Sequence, residues 1–164
     1  MAINRGKDFE WVIRESFEKV PNTSVDRLHD QTNGFAGSTN ICDFIIYHKP
    51  LIYYIECKSV HGNTLPLSNI TKNQWQGLLN KSKIDGVIAG VMCWWVDKDV
   101  TRFISIDELE RCKSTGYKSV RFEHEPFTTD GFIEIHGKKK RVFFDYDMEK
   151  FFNETRVAYE RINL

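Results

Sequence analysis

Two adjacent apolar segments constrain the fold of this chain more than any other part of its sequence. The first runs from Asp43 to Tyr47 and the second from Leu51 to Lys58, with Pro50 in the turn between them. Both are rich in β-branched and aromatic residues, and such a pair around a proline turn predicts a β-hairpin. Because side chains alternate between the two faces of a strand, Glu56 and Lys58 are expected on the same face.

Charged side chains stand at one end of this apolar hairpin. Asp43 opens the first strand, and Glu56 and Lys58 close the second. Charged groups in such apolar surroundings cost free energy unless a partner compensates them. Two carboxylates and a lysine that meet there predict a site for a divalent cation and a phosphate group. The alternative is an exposed hairpin end carrying a solvated Glu56–Lys58 pair.

Length and charge restrict the class of protein. A chain of 164 residues is typical of one domain, and we predict a single domain over 1–164. The formal net charge of +0 provides no overall attraction to nucleic acid, so any DNA contact must come from local basic patches. The first eight residues are polar and no apolar run reaches the roughly 20 residues that span a bilayer, so no signal peptide or membrane segment is expected.

The four cysteines, Cys42, Cys57, Cys93 and Cys112, are scattered and form no C-x-x-C pair. Three of them lie in strand-like segments, where cysteine behaves as a small buried apolar residue. We therefore predict reduced, structural thiols and a cytoplasmic protein, and a zinc site is not expected.

The remaining sequence predicts an α/β architecture. Helical spacing of apolar residues predicts a helix over 8–20, and Thr71 with Gln74 matches a capping box at the start of a second helix. The other predicted elements are a strand over 24–29, a glycine-rich loop over 30–40, strands over 87–96 and 102–106, a short helix from 107, a hairpin of 132–136 with 141–145, and a helix over 147–161. This order predicts one mixed β-sheet flanked by helices.

With these elements in place, the chain resembles the PD-(D/E)xK nuclease superfamily, which has a restriction-endonuclease-like fold. Within it, the sequence most resembles Holliday-junction resolvases of the RecU and archaeal Hjc kind, which are often phage-encoded. The segment Asn4-Arg5-Gly6 with Glu10 is similar to the N-terminal Arg-Gly-x-x-x-Glu of these enzymes. Asp43, Glu56 and Lys58 match the central motif, and Gln74 matches a recurrent polar position.

The resemblance covers roughly residues 4–95, which it identifies as a catalytic core, with additional strands and a C-terminal helix over 96–164. Two departures stand out. Asp43 follows Cys42 where the family pattern has proline, and the segment before Asp43 is shorter than the stalk of RecU-type enzymes.

The resemblance implies a metal-dependent, structure-selective DNA endonuclease that resolves Holliday junctions as a homodimer. It implies Mg²⁺, with Mn²⁺ as a possible substitute, held by Asp43, Glu56 and Glu10. Lys58 would orient or deprotonate water and stabilise the phosphorane, and its ordinary pKa of about 10.4 favours the electrostatic role. The rival interpretations are a restriction- or repair-type nuclease acting on duplex or branched DNA, and a non-catalytic DNA-binding member of the fold.

Two further candidate catalytic residues have ordinary alternatives. Glu10 falls at the rim of the apolar stripe of the first helix, from which it could reach the site, whereas Glu15 and Glu18 fall on the solvated side. The alternative is that Glu10 is an ordinary surface residue. Gln74 could serve catalysis or simply complete the capping box with Thr71.

Candidate DNA contacts are dispersed along the chain. Arg5 and Lys7 precede Glu10, Lys72 and Lys81 lie on the second helix, and a basic turn covers 138–141. They could bind phosphates, or they could only solvate the surface. Phe35, in the glycine-rich loop, could insert into a junction. Of Trp94 and Trp95, strand alternation predicts one ring in the core, and stacking on DNA is an alternative for the other.

Overall fold

The computed structural model describes residues 5–29, 40–123, 130–141 and 143–163. These ranges contain four α-helices: α1 (Arg5–Glu18), α2 (Lys72–Ser82), α3 (Ile106–Ser114) and α4 (Met148–Ile162). They contain ten strands: β1 (Thr23–Arg27), β2 (Phe44–His48), β3 (Leu51–Val60), β4 (Thr64–Pro66), β5 (Val87–Trp95), β6 (Val100–Ser105), β7 (Ser119–Arg121), β8 (Phe132–Glu134), β9 (Gly137–Lys139) and β10 (Phe144–Tyr146). Short 3₁₀ helices cover Leu67–Asn69 and Val96–Lys98.

Six of these strands form one mixed sheet in the order β1-β2-β3-β5-β6-β8. Strands β3 and β5 are parallel, and the other neighbours are antiparallel. The parallel pair requires a crossover connection, and α2 lies within it. Two small ribbons, β4 with β7 and β9 with β10, lie outside the sheet. The predicted mixed α/β sheet flanked by helices is therefore confirmed.

The hairpin at the centre of the sheet is also present as predicted. Strands β2 and β3 pair antiparallel with Phe44 opposite Ile55, and a cis Lys49–Pro50 peptide lies in the turn. Alternation along β3 divides its side chains between two cores. Tyr53, Ile55 and Cys57 pack with the residues of α1 and α4, whereas Val60 packs with those of α2 and α3.

Helix α1 follows from its apolar spacing. Its buried residues, Phe9, Val12, Ile13 and Phe17, repeat at three- and four-residue intervals and cover one face of the sheet. Burying such side chains contributes about 1.5–3 kcal/mol each relative to exposure. The helix ends at Glu18, shortly before Pro21, which cannot continue it.

Both neighbouring tryptophans of β5 are buried. Trp94 is 2% exposed and packs in the core beneath α1, where its ring centroid lies 5.7 Å from that of Phe9. Trp95 is 0% exposed and lies in the opposite core. Because neither ring reaches the surface, stacking of a DNA base on this pair does not occur in this fold.

The hairpin predicted over 132–136 and 141–145 is wrong. Instead, β8 pairs with β6 at the edge of the main sheet, and Gly137–Lys139 forms a strand paired with Phe144–Tyr146. The apolar Phe132 and Ile133 are buried against the sheet, which favours the pairing with β6. Gly137 allows the close approach of its partner strand, because a Cβ there would lie 2.8 Å from the Asp145 carbonyl oxygen.

All four cysteines are free and buried, in agreement with the prediction of reduced, structural thiols. Among the described residues, no helix is both long and apolar enough to span a membrane.

Candidate active site

The first acidic side chain of the site, Asp43, is fixed by its own backbone. Its N–H donates to the Ile55 carbonyl at 3.1 Å, and its carbonyl accepts the Leu28 N–H at 2.8 Å. The side chain continues the pairing of β2 with β3, because Oδ2 accepts the Cys57 N–H at 2.8 Å. Asp43 therefore lies against the C-terminal half of β3, where Glu56 and Lys58 are found.

Glu56 is the most deeply buried charged side chain of the site, with 4% of its surface exposed. Its Oε1 lies 3.0 Å from Lys58 Nζ, which confirms that the two side chains share a face of β3. The same oxygen accepts a hydrogen bond from Gln74 Nε2 at 2.8 Å. The solvated, exposed Glu56–Lys58 pair considered as an alternative is excluded by this burial.

Gln74 belongs to both the helix cap and the site. Its Oε1 accepts the Thr71 N–H at 3.0 Å, and Thr71 Oγ1 accepts the Gln74 N–H at 3.2 Å, which completes the capping box. Because Oε1 is committed to this donor, the amide Nε2 faces Glu56. The capping box is confirmed, and the same side chain contacts Glu56, so the two interpretations of Gln74 are compatible. Its role in catalysis stays a prediction.

Helix α2 comes close to the hairpin at a glycine. A Cβ on Gly77 would lie 2.3 Å from Ile41 Cγ2, so any larger residue forces a shift. This close approach, one turn along α2 from Gln74, holds the helix against the segment that leads into Asp43.

Burial and crowding shift the protonation of the two carboxyl groups. Burial, followed by the charge of Glu56, raises the pKa of Asp43 from its usual 3.8 to about 8. Burial likewise raises the pKa of Glu56, although the neighbouring Lys58 opposes this shift. Each carboxyl group thus titrates under the influence of the other, and the pair retains a proton near neutral pH with Asp43 as its main carrier.

Glu10 reaches the neighbourhood of this pair from α1. Its Oε2 lies 2.7 Å from Arg27 Nη2 on β1, and its charge contributes to the raised pKa values of both Asp43 and Glu56. Glu15 and Glu18 are exposed, in agreement with their predicted place on the solvated side of the helix. Arg27, the last residue of the five-residue strand β1, was not predicted from the sequence as a residue of this site.

The donor chemistry of Asp43 and Glu56 fits a hard divalent cation. In the described part of the chain, no group of three or more His, Cys, Asp or Glu side chains is arranged to hold a metal ion. Mg²⁺, however, is commonly held by one or two carboxylates together with substrate phosphate. A buried carboxyl pair that retains a proton is a place where a cation can replace that proton. Glu10 as a third ligand stays a prediction.

Four of the predicted DNA-binding residues stand on α1 and α2, the helices that carry Glu10 and Gln74. Lys72 is exposed at the start of α2, and Lys81 lies with its Nζ 5.2 Å from the ring centroid of Tyr54. Arg5 and Lys7 stand in the first turn of α1, where Lys7 is exposed. Phe35 lies outside the described residues. The contacts of these residues with DNA stay predictions.

No known family model matches this chain, and no curated protein matches its sequence. Among solved structures, the chain is similar to that of Archaeoglobus fulgidus Hjc, described as a Holliday junction resolvase from an archaeal hyperthermophile. The TM-score is 0.43 and the sequence identity 13%, over 93% of this chain and 95% of that one. The fold class of this chain rests on its own strands and helices, and this likeness assigns no activity to it.

Proposed function

We propose that this protein is a metal-dependent DNA endonuclease that cuts branched DNA, with the Holliday junction as its substrate. The observation that carries the proposal is the cluster at the end of the central hairpin. There, Glu56 is buried between Lys58 and Gln74, and Asp43 Oδ2 accepts the N–H of the next residue on the strand, Cys57. The order of Asp43, Glu56 and Lys58 along the hairpin matches the central motif of PD-(D/E)xK nucleases.

Each side chain has a role that its contacts support. Asp43 and Glu56 would hold Mg²⁺, or Mn²⁺ in its place, with Glu10 as a further acidic group. A bound Mg²⁺ supplies charge neutralisation on the phosphate and lowers the pKa of water. Gln74 orients the Glu56 carboxylate through its amide, and Lys58 places a positive charge 3.0 Å from Glu56, where it can stabilise charge on a phosphate.

The junction as substrate implies a symmetric assembly. Two cuts related by a two-fold axis require two active sites in the same relation, which a homodimer supplies. The candidate phosphate contacts stand on the two helices that carry Glu10 and Gln74: Arg5 and Lys7 on α1, and Lys72 and Lys81 on α2.

The test is cleavage of a defined set of substrates by the wild type and two variants of Lys58. End-labelled four-way junction, duplex, flap and single-stranded DNA are incubated with the protein and Mg²⁺. Lys58→Ala removes the positive charge, and Lys58→Arg keeps it on a larger, planar guanidinium group. As a matched control, Lys49→Ala removes an exposed lysine from the turn at the opposite end of the same hairpin.

The full proposal predicts paired, symmetric nicks in the four-way junction. The rate of nicking should be unchanged in Lys49→Ala and at least 100-fold lower in Lys58→Ala. Cleavage of duplex or flap DNA alone would overturn the Holliday junction as the substrate but would support the nuclease activity. Junction binding without cleavage of any substrate would overturn the enzyme and leave a DNA-binding protein.

A further inference from the structure

A groove of about 470 Å³ runs between α1 and the segment that leads into β10. Its aromatic residues are Trp11 on α1 and Phe143 and Phe144 on the facing segment. Trp11 is 59% exposed, while Trp75, Trp94 and Trp95 are at most 7% exposed. Trp11 together with Phe143 and Phe144 therefore gives the groove an aromatic surface that is open to a partner.

The walls of the groove combine this aromatic surface with positive charge. Lys19, Lys140 and Arg141 line it, opposed by Glu15 and Asp145. Asp145 is already held by Lys19 at 2.7 Å and lies 3.9 Å from Lys140. Arg141 is exposed and has no ion-pair partner within the described residues. The groove therefore offers an aromatic face next to an uncommitted guanidinium, which matches a base and its phosphate.

Helix α1 connects this groove to the acidic pair. Trp11 directly follows Glu10, whose charge acts on Asp43 and Glu56. Lys7, a predicted phosphate contact, lies four residues before Trp11 and so one turn away on the same side of the helix. A strand lying along this side of α1 would pass Lys7 and reach the groove at Trp11.

We propose that this groove binds an unpaired segment of DNA, with a base stacked on Trp11 and the adjoining phosphate on Arg141. The inference rests on the proposed function and deepens it, because it assigns to the enzyme a second contact that recognises single-stranded character at a branch point. The charges of the groove favour this occupant, because its three cations, Lys19, Lys140 and Arg141, outnumber its two carboxylates, Glu15 and Asp145.

The experiment measures DNA binding without cleavage. Fluorescence anisotropy of a labelled single-stranded oligothymidine, and of a duplex of equal length, is titrated with protein in EDTA. Trp11→Ala is expected to weaken single-strand binding about tenfold or more, while Trp11→Phe retains most of it. Arg141→Gln is expected to weaken binding and reduce the salt slope by about one. Tyr117→Ala and Lys118→Gln are matched controls on exposed positions elsewhere.

Unchanged single-strand affinity in Trp11→Ala overturns the groove as a DNA site. If Trp11→Ala instead converts a dimer to a monomer while its affinity for single-stranded DNA is unchanged, the proposal is also overturned. The groove would then be an interface between copies of the chain. Intrinsic fluorescence gives a second readout, because oligothymidine should quench Trp11 in the wild type and the three buried tryptophans little. Because this binding assay contains no divalent cation, it is independent of the cleavage assay. Intact quenching by a protein that cuts no DNA in Mg²⁺ would overturn the nuclease proposal and leave the groove as a DNA site.

Discussion

Gln74 Nε2 donates to Glu56 Oε1 at 2.8 Å, while Gln74 Oε1 accepts the Thr71 N–H at 3.0 Å. The start of α2 thus determines which atom of the amide faces the acidic pair. The helix cap and the site share one side chain, and substitutions can separate their contributions.

Thr71→Ala and Gln74→Ala should differ in their effect on catalysis. Thr71→Ala removes the Oγ1 cap but keeps the backbone N–H, so stability should fall by about 1 kcal/mol while the cleavage rate changes less than threefold. Gln74→Ala keeps the Oγ1 cap but removes the other half of the capping box, the Oε1 acceptor of the Thr71 N–H, together with the Glu56 contact, so stability should fall similarly and the rate at least tenfold. Urea unfolding and single-turnover cleavage measure both. Equal rates in the two variants would show that Gln74 is only a cap.

The raised pKa of Asp43 makes the stability of the metal-free protein depend on pH. A carboxyl whose pKa is 3.8 when unfolded and about 8 when folded binds protons more tightly in the fold. Its contribution to stability is complete below pH 3.8 and is lost progressively as the pH rises to about 8.

Asp43→Asn removes this dependence and keeps an acceptor for the Cys57 N–H. We expect this variant to be more stable than the wild type by roughly 1–3 kcal/mol at pH 8.5 in EDTA, with a smaller difference at pH 5. Urea denaturation at both pH values measures it. Asp26→Asn, at an exposed position on β1, is the control and should show no such gain. A lower stability of Asp43→Asn at pH 8.5 would contradict the assignment.

Binding of Mg²⁺ should release a proton from the carboxyl pair. Because Asp43 carries that proton below about pH 8, binding at pH 7 should release close to one proton, and binding above pH 9 almost none. Titration calorimetry in buffers of different ionisation enthalpy counts the protons. Magnesium affinity should rise with pH over the same interval. Binding at pH 7 without proton release would place the cation away from Asp43.

Gly77 should resist substitution although it lies within a helix. Gly→Ala in a helix usually stabilises by up to about 1 kcal/mol. Here the added Cβ would meet Ile41 Cγ2 at 2.3 Å, so Gly77→Ala should instead destabilise by about 1–3 kcal/mol and reduce cleavage by displacing α2. Asn80→Ala, at an exposed position on the same helix, is the comparison. Thermal melts that rank both variants alike would show that the helix adjusts freely.

The central hairpin and the two long helices at the ends of the chain could be predicted because their patterns are local. The alternation along Leu51–Lys58 placed Glu56 and Lys58 together, and the apolar stripe of α1 left Glu10 at its rim. The capping box of Thr71 and Gln74 was equally readable, since it depends on residues three positions apart.

Contacts that depend on the packing of distant elements were not predictable in this way. The Glu10–Arg27 pair forms because α1 packs beside β1. No local pattern in the sequence encodes how a helix packs against a strand 17 residues away. Three-residue strands such as β4 and β7 are too short to show a period. The pairing of β8 was missed because a local turn signal at Gly137 favoured a hairpin, whereas burial of Phe132 on β6 stabilised the distant pairing.

Backbone pairing between β2 and β3 is continued at Cys57 by a side chain. The Cys57 N–H donates to Asp43 Oδ2, whereas the Asp43 N–H donates to a backbone carbonyl, that of Ile55. The chemical shift and hydrogen-exchange rate of the Cys57 amide should therefore follow the charge on Asp43, and those of the Asp43 amide should follow it far less. The chain thereby carries a reporter of its acidic centre that NMR can read at a single amide without any substitution.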